Sequence, residues 1–285
     1  NTLRRRIDRR MTLHQMESYE AYVRYLRENP GESEALFGEL LIGVTSFFRY
    51  EDSFQTLKKQ GLPELISQMP ENSTFRAWVP GCSTGEEVYS LAITLNEYLE
   101  EHSLKMDVKI FGTDIDKLAV DKAREGLYPS NIAPDVGEEY LKKYFTREGH
   151  FYRINEDIRD NILFSVQNVL KDPPFSRLNL ICCRNVLIYF SAESQQKLLP
   201  LFHYTLNSGG LLMLGSSETI GSFTNLFQPV NNKWKLFKSK DVPTTFYHHL
   251  EFPSKAQKPE RDNQPSEKAR ATRQSDIGEI TRKAI

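Results

Sequence analysis

Three short segments carry residue types whose spacing points to chemistry. The first is Trp78-Val79-Pro80-Gly81-Cys82-Ser83-Thr84-Gly85-Glu86-Glu87, an apolar strand pattern that breaks into small residues and opens directly into a helix pattern. A turn of that composition lets a ligand approach the backbone closely. A dinucleotide site would read GxGxxG and set the positive end of the helix against a pyrophosphate. Here the spacing differs, and Glu86 and Glu87 fall in the first helical turn, where they repel a phosphate. An uncharged nucleoside carrying a sulfonium and an α-amino group suits the place better. Taken alone, the two glutamates are equally explained as complements to the helix dipole, with Ser83 or Thr84 as the cap. The second segment, Phe111-Gly112-Thr113-Asp114-Ile115-Asp116, ends the next strand pattern with two carboxylates, where doubly wound folds place an acid against ribose hydroxyls. Asp114 is the candidate for that contact, and Asp116 the more natural N-cap of the helix that follows. The third, Val166-Gln167-Asn168-Val169-Leu170, puts a side-chain amide at a strand end, where it either reads an adenine edge or simply leaves a sheet.

These segments need a sheet to bring them together. Short apolar runs at 75–79, 108–113, 162–166, 178–183 and 210–215 alternate with helical patterns at 86–101, 117–125 and 192–207, the signature of an α/β doubly wound sheet. Residues 128–161 interrupt it. There Tyr144-Phe145 and Phe151-Tyr152-Arg153-Ile154 flank a short glycine-containing link, which predicts a β-hairpin and a small inserted β-subdomain. Upstream, Tyr19, Tyr22, Tyr25 and Leu26 recur at helical spacing and a second amphipathic stretch follows Pro30-Gly31, which predicts a helical N-terminal domain over 1–48. The α/β domain is expected over 49–240 and a polar linker or disordered tail over 241–285.

Composition narrows the function. The 37 Lys and Arg nearly balance 38 Asp and Glu, so no bulk positive field draws the chain onto nucleic acid. No apolar run is long enough for a membrane span, no signal pattern opens the chain, and a cytoplasmic location is expected. Cys82, Cys183 and its neighbour Cys182 form neither a disulfide framework nor a zinc spacing and read as reduced packing residues. A start without methionine suggests a piece of a longer polypeptide.

Together with Thr45-Ser46-Phe47-Phe48-Arg49 and Cys183-Arg184-Asn185-Val186-Leu187-Ile188-Tyr189-Phe190, the three segments resemble the chemotaxis receptor glutamate methyltransferase family from about Leu3 to Lys238. Leu41-Ile42-Gly43-Val44 and Lys171-Asp172-Pro173-Pro174-Phe175-Ser176 look like the branch fused to a methylesterase and sensory modules. The resemblance implies S-adenosylmethionine as cofactor and S-adenosylhomocysteine as product, with methyl esters formed on glutamates of chemoreceptor cytoplasmic methylation helices. It places Thr45 and Arg49 at the methionyl end of the cofactor, Gly81 and Glu86 nearby, Asp114 on the ribose and Asn168 and Val169 beside the adenine. Arg184 and Asn185 close the pocket, and Arg49 and Tyr189 match the pair near the reacting centre. Gly43 stands where many relatives have Asn, so that side-chain contact is lost.

The resemblance also implies that the helical domain faces the receptor. Arg4, Arg5, Arg6, Arg9 and Arg10 then become a docking cluster rather than a merely solvated face. Relatives that tether to a receptor's C-terminal pentapeptide carry a longer hairpin loop than Arg147-Glu148-Gly149-His150, so tether-independent action is expected. Two competing readings stay open: a methyltransferase for another substrate on the same fold, and a non-catalytic module that senses S-adenosylmethionine.

Overall fold

Tyr22, Leu26 and Leu36, with Ile7 and Met11, close the core of a three-helix unit made of α1 (Thr2–Leu13), α2 (Tyr19–Glu28) and α3 (Pro30–Leu40). The computed structural model describes residues 2–16, 18–40 and 45–242, and these fall into two compact units, this one and a larger one that its described residues enter at Thr45. The boundary therefore lies before residue 48: Phe47 and Phe48 belong to the core of the larger unit. Ser18 caps α2 by accepting from the Ala21 amide at 3.2 Å.

Arg10 departs from the expected docking cluster. Its Nε donates to Glu32 Oε1 at 2.9 Å and its Nη2 pairs with Oε2 of the same carboxylate, which also meets His14 Nε2 at 2.7 Å and accepts from the Tyr22 hydroxyl at 2.6 Å. Arg9 is exposed, and the side chains of Arg4, Arg5 and Arg6 lie outside the described residues. Burial pushes the Glu32 carboxyl upward most strongly, but the bonds from Arg10, Tyr22 and His14 outweigh it and hold it down to about 2. A carboxyl depressed in the folded state stabilises above its unfolded value of 4.5 and loses that contribution as pH falls toward 2. Allowing for the partial exposure of Arg10 and His14, the network contributes on the order of 2 kcal/mol. Glu32→Gln should therefore speed hydrogen exchange of the α1 to α3 amides roughly 30-fold at pH 7. Unchanged protection would remove the network from the unit's stabilising contacts.

The larger unit opens with α4 (Glu51–Thr56), a π-helical turn (Leu57–Gly61) and α5 (Leu62–Ser67). There follow β1 (Phe75–Pro80), α6 (Glu86–Glu101), β2 (Val108–Asp114), α7 (Lys117–Glu125), β3 (Leu127–Pro129), α8 (Ala133–Val136), α9 (Glu138–Tyr144), β4 (Phe145–Glu148), β5 (Phe151–Ile154) and α10 (Glu156–Arg159). The chain continues through β6 (Ile162–Val166), β7 (Leu178–Cys183), α11 (Ala192–Thr205), β8 (Leu206–Leu214), β9 (Phe227–Asn231) and β10 (Leu236–Ser239). Seven strands form one sheet in the order β6-β2-β1-β7-β8-β10-β9, parallel from β6 to β8 and antiparallel through β10 and β9.

Successive residues of the central strands face opposite cores, as a sheet covered on both sides requires. Ala77, Val79, Leu180, Cys182, Leu211 and Met213 pack on one side with α6; Trp78, Ile181, Cys183, Leu212 and Leu214 pack on the other against Leu198 and Phe202 of α11. Strand order reverses between β1 and β7, the position at which open α/β sheets bind ligands beyond their carboxyl ends.

The interruption is a three-stranded antiparallel sheet, β3-β5-β4, whose β4–β5 hairpin turns at Gly149-His150. Differences from the sequence reading are local. The helix near 192–207 ends at Thr205 and β8 begins at once, before the expected Gly210. The helical run 51–67 and the strands β9 and β10 are additions. Gly43 and the expected tail from 243 onward lie outside the described residues.

Candidate active site

The motif segments that follow β1, β2, β6 and β7 lie at or beyond the carboxyl ends of these parallel strands, and Arg184 ties the Arg49 carbonyl to them. Leaving β1, Gly81, Ser83 and Gly85 all take positive φ, at 69°, 49° and 96°. Gly81 has no room for a side chain, since a Cβ would sit 2.5 Å from Val186 Cγ2 of the segment leaving β7. The residue preceding α6 is Gly85 in a left-handed conformation, so neither Ser83 nor Thr84 forms the side-chain cap that the plainer reading required.

Instead Thr84 bonds the Glu86 carboxylate with its hydroxyl at 2.7 and 2.9 Å. Burial raises the Glu86 carboxyl above the ordinary range, partly offset by the Thr84 bond. Asp114, at the end of β2, accepts from the Ser83 amide at 2.7 Å through Oδ2 and from the Asp116 amide at 2.9 Å through Oδ1. It thereby fixes the shape of the turn, and it keeps further lone pairs for a ligand, because a carboxylate has about four acceptor sites. Asp116 is the N-cap of α7, as its position suggested, accepting from the amides of Leu118 and Ala119.

At the end of β6, Asn168 closes a local turn: its Oδ1 accepts from the Leu170 amide at 3.0 Å and its own amide donates to Asp172 at 2.7 Å. Val169 is half-buried against the core on the α11 side. At the end of β7, Arg184 links three parts of the unit. One guanidinium nitrogen meets Glu87 at 3.2 Å, another donates to the Arg49 carbonyl at 2.6 Å, and the group lies over the Phe54 ring at 5.0 Å. Burial raises the Glu87 carboxyl, with the Arg184 charge and the Cys182 thiol opposing it.

The Thr45–Arg49 segment is held from several sides. Phe47 packs edge-on against Tyr128 and Phe145 of the inserted sheet, Phe48 edge-on against Phe54 and tilted against Tyr140, and the Phe48 amide donates to Ser90 at 2.8 Å. Thr45 and Arg49 are half-buried, with the Arg49 guanidinium 5.8 Å from the Tyr50 ring centroid. Tyr128 also donates to the Thr84 carbonyl at 2.7 Å, which joins the inserted sheet to the glycine turn. Tyr189 sits on a 3₁₀ turn (Leu187–Tyr189) with its side chain 57% exposed.

Two observations show what these residues suit. Glu86 and Asp114 put carboxylates at the glycine turn, the wrong sign for phosphate and the right one for an amine, a sulfonium and ribose hydroxyls. Among the described residues, Gln167 Oε1, Arg184 Nε and Asn185 Oδ1 are buried polar atoms without a partner, and all three lie just past the ends of β6 and β7. The thiols of Cys82, Cys182 and Cys183 are buried and pushed upward by that burial, so they stay protonated and pack.

Comparison with known families decides the matter. Residues 43–236 match the family described as CheR methyltransferase, SAM binding domain, and residues 1–41 match CheR methyltransferase, all-alpha domain. The chain belongs to the CheR methyltransferase family. S-adenosylmethionine is accordingly its cofactor and methyl transfer its reaction class. Among relatives, an uncharacterized 104.1 kDa protein in the hypE 3′ region of Rhodobacter capsulatus is 37% identical over 247 residues, 86% of this chain and 26% of that protein. The chain thus spans about a quarter of the length of that relative. A chemotaxis protein methyltransferase of Borreliella burgdorferi is 34% identical, covering 74% of this chain and 77% of its own length. Chemotaxis protein methyltransferase 2 of Vibrio cholerae is 31% identical, covering 78% and 79%.

One residue of this CheR site escaped the sequence reading. Glu218, in the loop after β8, is buried and accepts from the backbone amides that follow Arg184. Its partners are main-chain groups, which no side-chain motif displays.

Proposed function

We propose that this chain methylates glutamate side chains of chemoreceptor cytoplasmic helices, forming methyl esters. The observation that carries the reading is that, among the described residues, the segments leaving four of the five parallel strands, β1, β2, β6 and β7, contain no histidine and the nearby thiols are buried and protonated. A nucleophile that needed deprotonation would find no base of that kind there. A glutamate, with a reference pKa of about 4.3, arrives already ionised at neutral pH.

In this reading Asp114 receives the ribose hydroxyls, Glu86, Thr45 and Arg49 face the methionyl end, Asn168 and Val169 flank the adenine, and Arg184 and Asn185 close the pocket. S-adenosylmethionine, when bound, supplies an electrophilic methyl on sulfur and leaves as S-adenosylhomocysteine. The chain's own task is alignment and exclusion of water, and holding two reactants in a near-attack geometry can supply roughly 7–11 kcal/mol. Arg49 orients the substrate carboxylate without binding it tightly, because the carboxylate's charge disappears as the ester forms and strong pairing would favour the ground state. Tyr189 serves as a neutral donor or wall beside the methyl.

Transfer of labelled methyl to receptor cytoplasmic fragments tests the proposal. Base-labile label on glutamate is expected. Tight cofactor binding without transfer to several receptors would instead favour a sensing module.

The helical unit is proposed to dock the receptor through Arg9 and its neighbours Arg4, Arg5 and Arg6, with Arg10 held by Glu32. Arg5→Glu with Arg9→Glu should raise the KM for receptor roughly 10-fold, as loss of charge complementarity does, with cofactor affinity unchanged; unaltered receptor methylation would refute this. The two-residue link at Gly149-His150 supports action without a pentapeptide tether, so calorimetry with such a peptide should show no binding. The protein is proposed to act in the cytoplasm; no described helix is long and apolar enough to cross a membrane. A longer polypeptide around these units is supported by the Rhodobacter relative, of which they cover 26%.

A further inference from the structure

Glu218 ends the run Gly215-Ser216-Ser217-Glu218 that follows β8, yet its side chain is 4% exposed and turns back toward β7. Oε1 accepts from the amides of Val186 and Leu187 at 2.8 and 2.7 Å; Oε2 accepts from those of Asn185 and Gly215 at 3.0 and 2.6 Å. Three consecutive amides converge on one carboxylate because Asn185 takes a positive φ of 58°, which turns its N–H to the same side as the next two. Gly215 lets the carboxylate come this close: a Cβ there would lie 2.8 Å from both the Asn185 amide nitrogen and Glu218 Oε2.

The segment so held leads directly into the turn Leu187–Tyr189. On its other side Gln195, from α11, donates to the carbonyls of Leu187 and Phe190 at 3.0 and 3.1 Å. Tyr189 projects into solvent from a backbone fixed on both flanks, so its place is set by the main chain rather than by side-chain packing.

We infer that Glu218 is a positioning residue for Tyr189, with Gln195 as its counterpart across the turn. This rests on the proposal above that Tyr189 stands beside the reacting groups. Removing a buried acceptor leaves several amides without partners, and the turn relaxes toward other ways of satisfying them. The catalytic consequence should then pass through Tyr189 and vanish when that side chain is gone.

The test is a pair of double-mutant cycles on the full chain, reading kcat for methyl transfer to a receptor fragment: Glu218→Gln and Gln195→Ala, each alone and with Tyr189→Ala. Gln195→Ala loosens the same turn from its half-buried side and keeps the test decisive should Glu218→Gln not fold. The expected result is a loss of about 30-fold for Glu218→Gln and about 5-fold for Gln195→Ala when Tyr189 is present. In the Tyr189→Ala background each loss should shrink below about 2-fold. Losses that stay equal in both backgrounds would make Glu218 and Gln195 merely structural and overturn the inference alone. Full kcat in Tyr189→Ala would overturn the placement of Tyr189 and the inference with it.

Discussion

Arg184→Met is expected to destabilise the larger unit by about 3–5 kcal/mol, the usual consequence of removing one partner from a buried ion pair. The side chains of Arg184 and Glu87 are 2% and 13% exposed, and the guanidinium is the main influence holding the Glu87 carboxyl down against burial. Without it the carboxyl takes up a proton when folded. Its folded pKa then stands well above the unfolded value of 4.5, so the penalty is absent below that value and grows as pH rises toward the folded pKa. Urea unfolding at pH 6 and pH 8.5 should show the larger deficit at the higher pH. Arg184→Met combined with Glu87→Met should recover most of the stability, since apolar replacement of a whole buried pair is often neutral. It should not recover activity, because the Arg49 carbonyl has still lost its donor. A single variant within about 1 kcal/mol of the parent at both pH values would refute the pair's importance.

Asp114→Ala should weaken S-adenosylmethionine binding by about 150-fold or more, up to about 20,000-fold, the effect of losing two hydrogen bonds to a charged acceptor at about 1.5–3 kcal/mol each. It also releases the Ser83 amide, so part of the loss arises from the turn rather than from the ribose. Asp114→Asn separates the two contributions. The amide keeps one acceptor oxygen for the turn or the ribose and should lose about 10–30-fold, with the melting temperature close to the parent's. Titration calorimetry measures both. Parent-like affinity in Asp114→Ala would place the ribose elsewhere.

What the sequence disclosed follows from which groups do the work. The glycine turn, Asp114 and Asp116 were legible because each is a side chain, or the lack of one, at the end of an apolar run. The helices at 86–101 and 117–125 were legible from their periodicity. β9 and β10 were not, since one carries Pro229 and the other is only four residues long, with two adjacent apolar residues followed by Lys238 and Ser239. Arg10 looked like surface charge because its partner Glu32 lies 22 residues away in sequence. Glu218 was hidden for a different reason: its four bonds go to backbone amides. The second task of Asp114, shaping the turn through Ser83, depends on a contact across 31 residues that spacing alone does not reveal.

The place of β7 between β1 and β8 governs when this site comes into being as the chain is made. The glycine turn and Asp114 emerge early, but Arg184 follows by 70 residues or more and Glu218 later still. Domains form largely as units during synthesis, and long-range parallel pairing is the slow step. A nascent chain that ends before Glu218 can carry most of the cofactor-binding motifs and still lack the strand pairing that assembles them. The complete site therefore forms only after β7 and β8 have added to the open edge beside β1 and the segment carrying Glu218 has followed them.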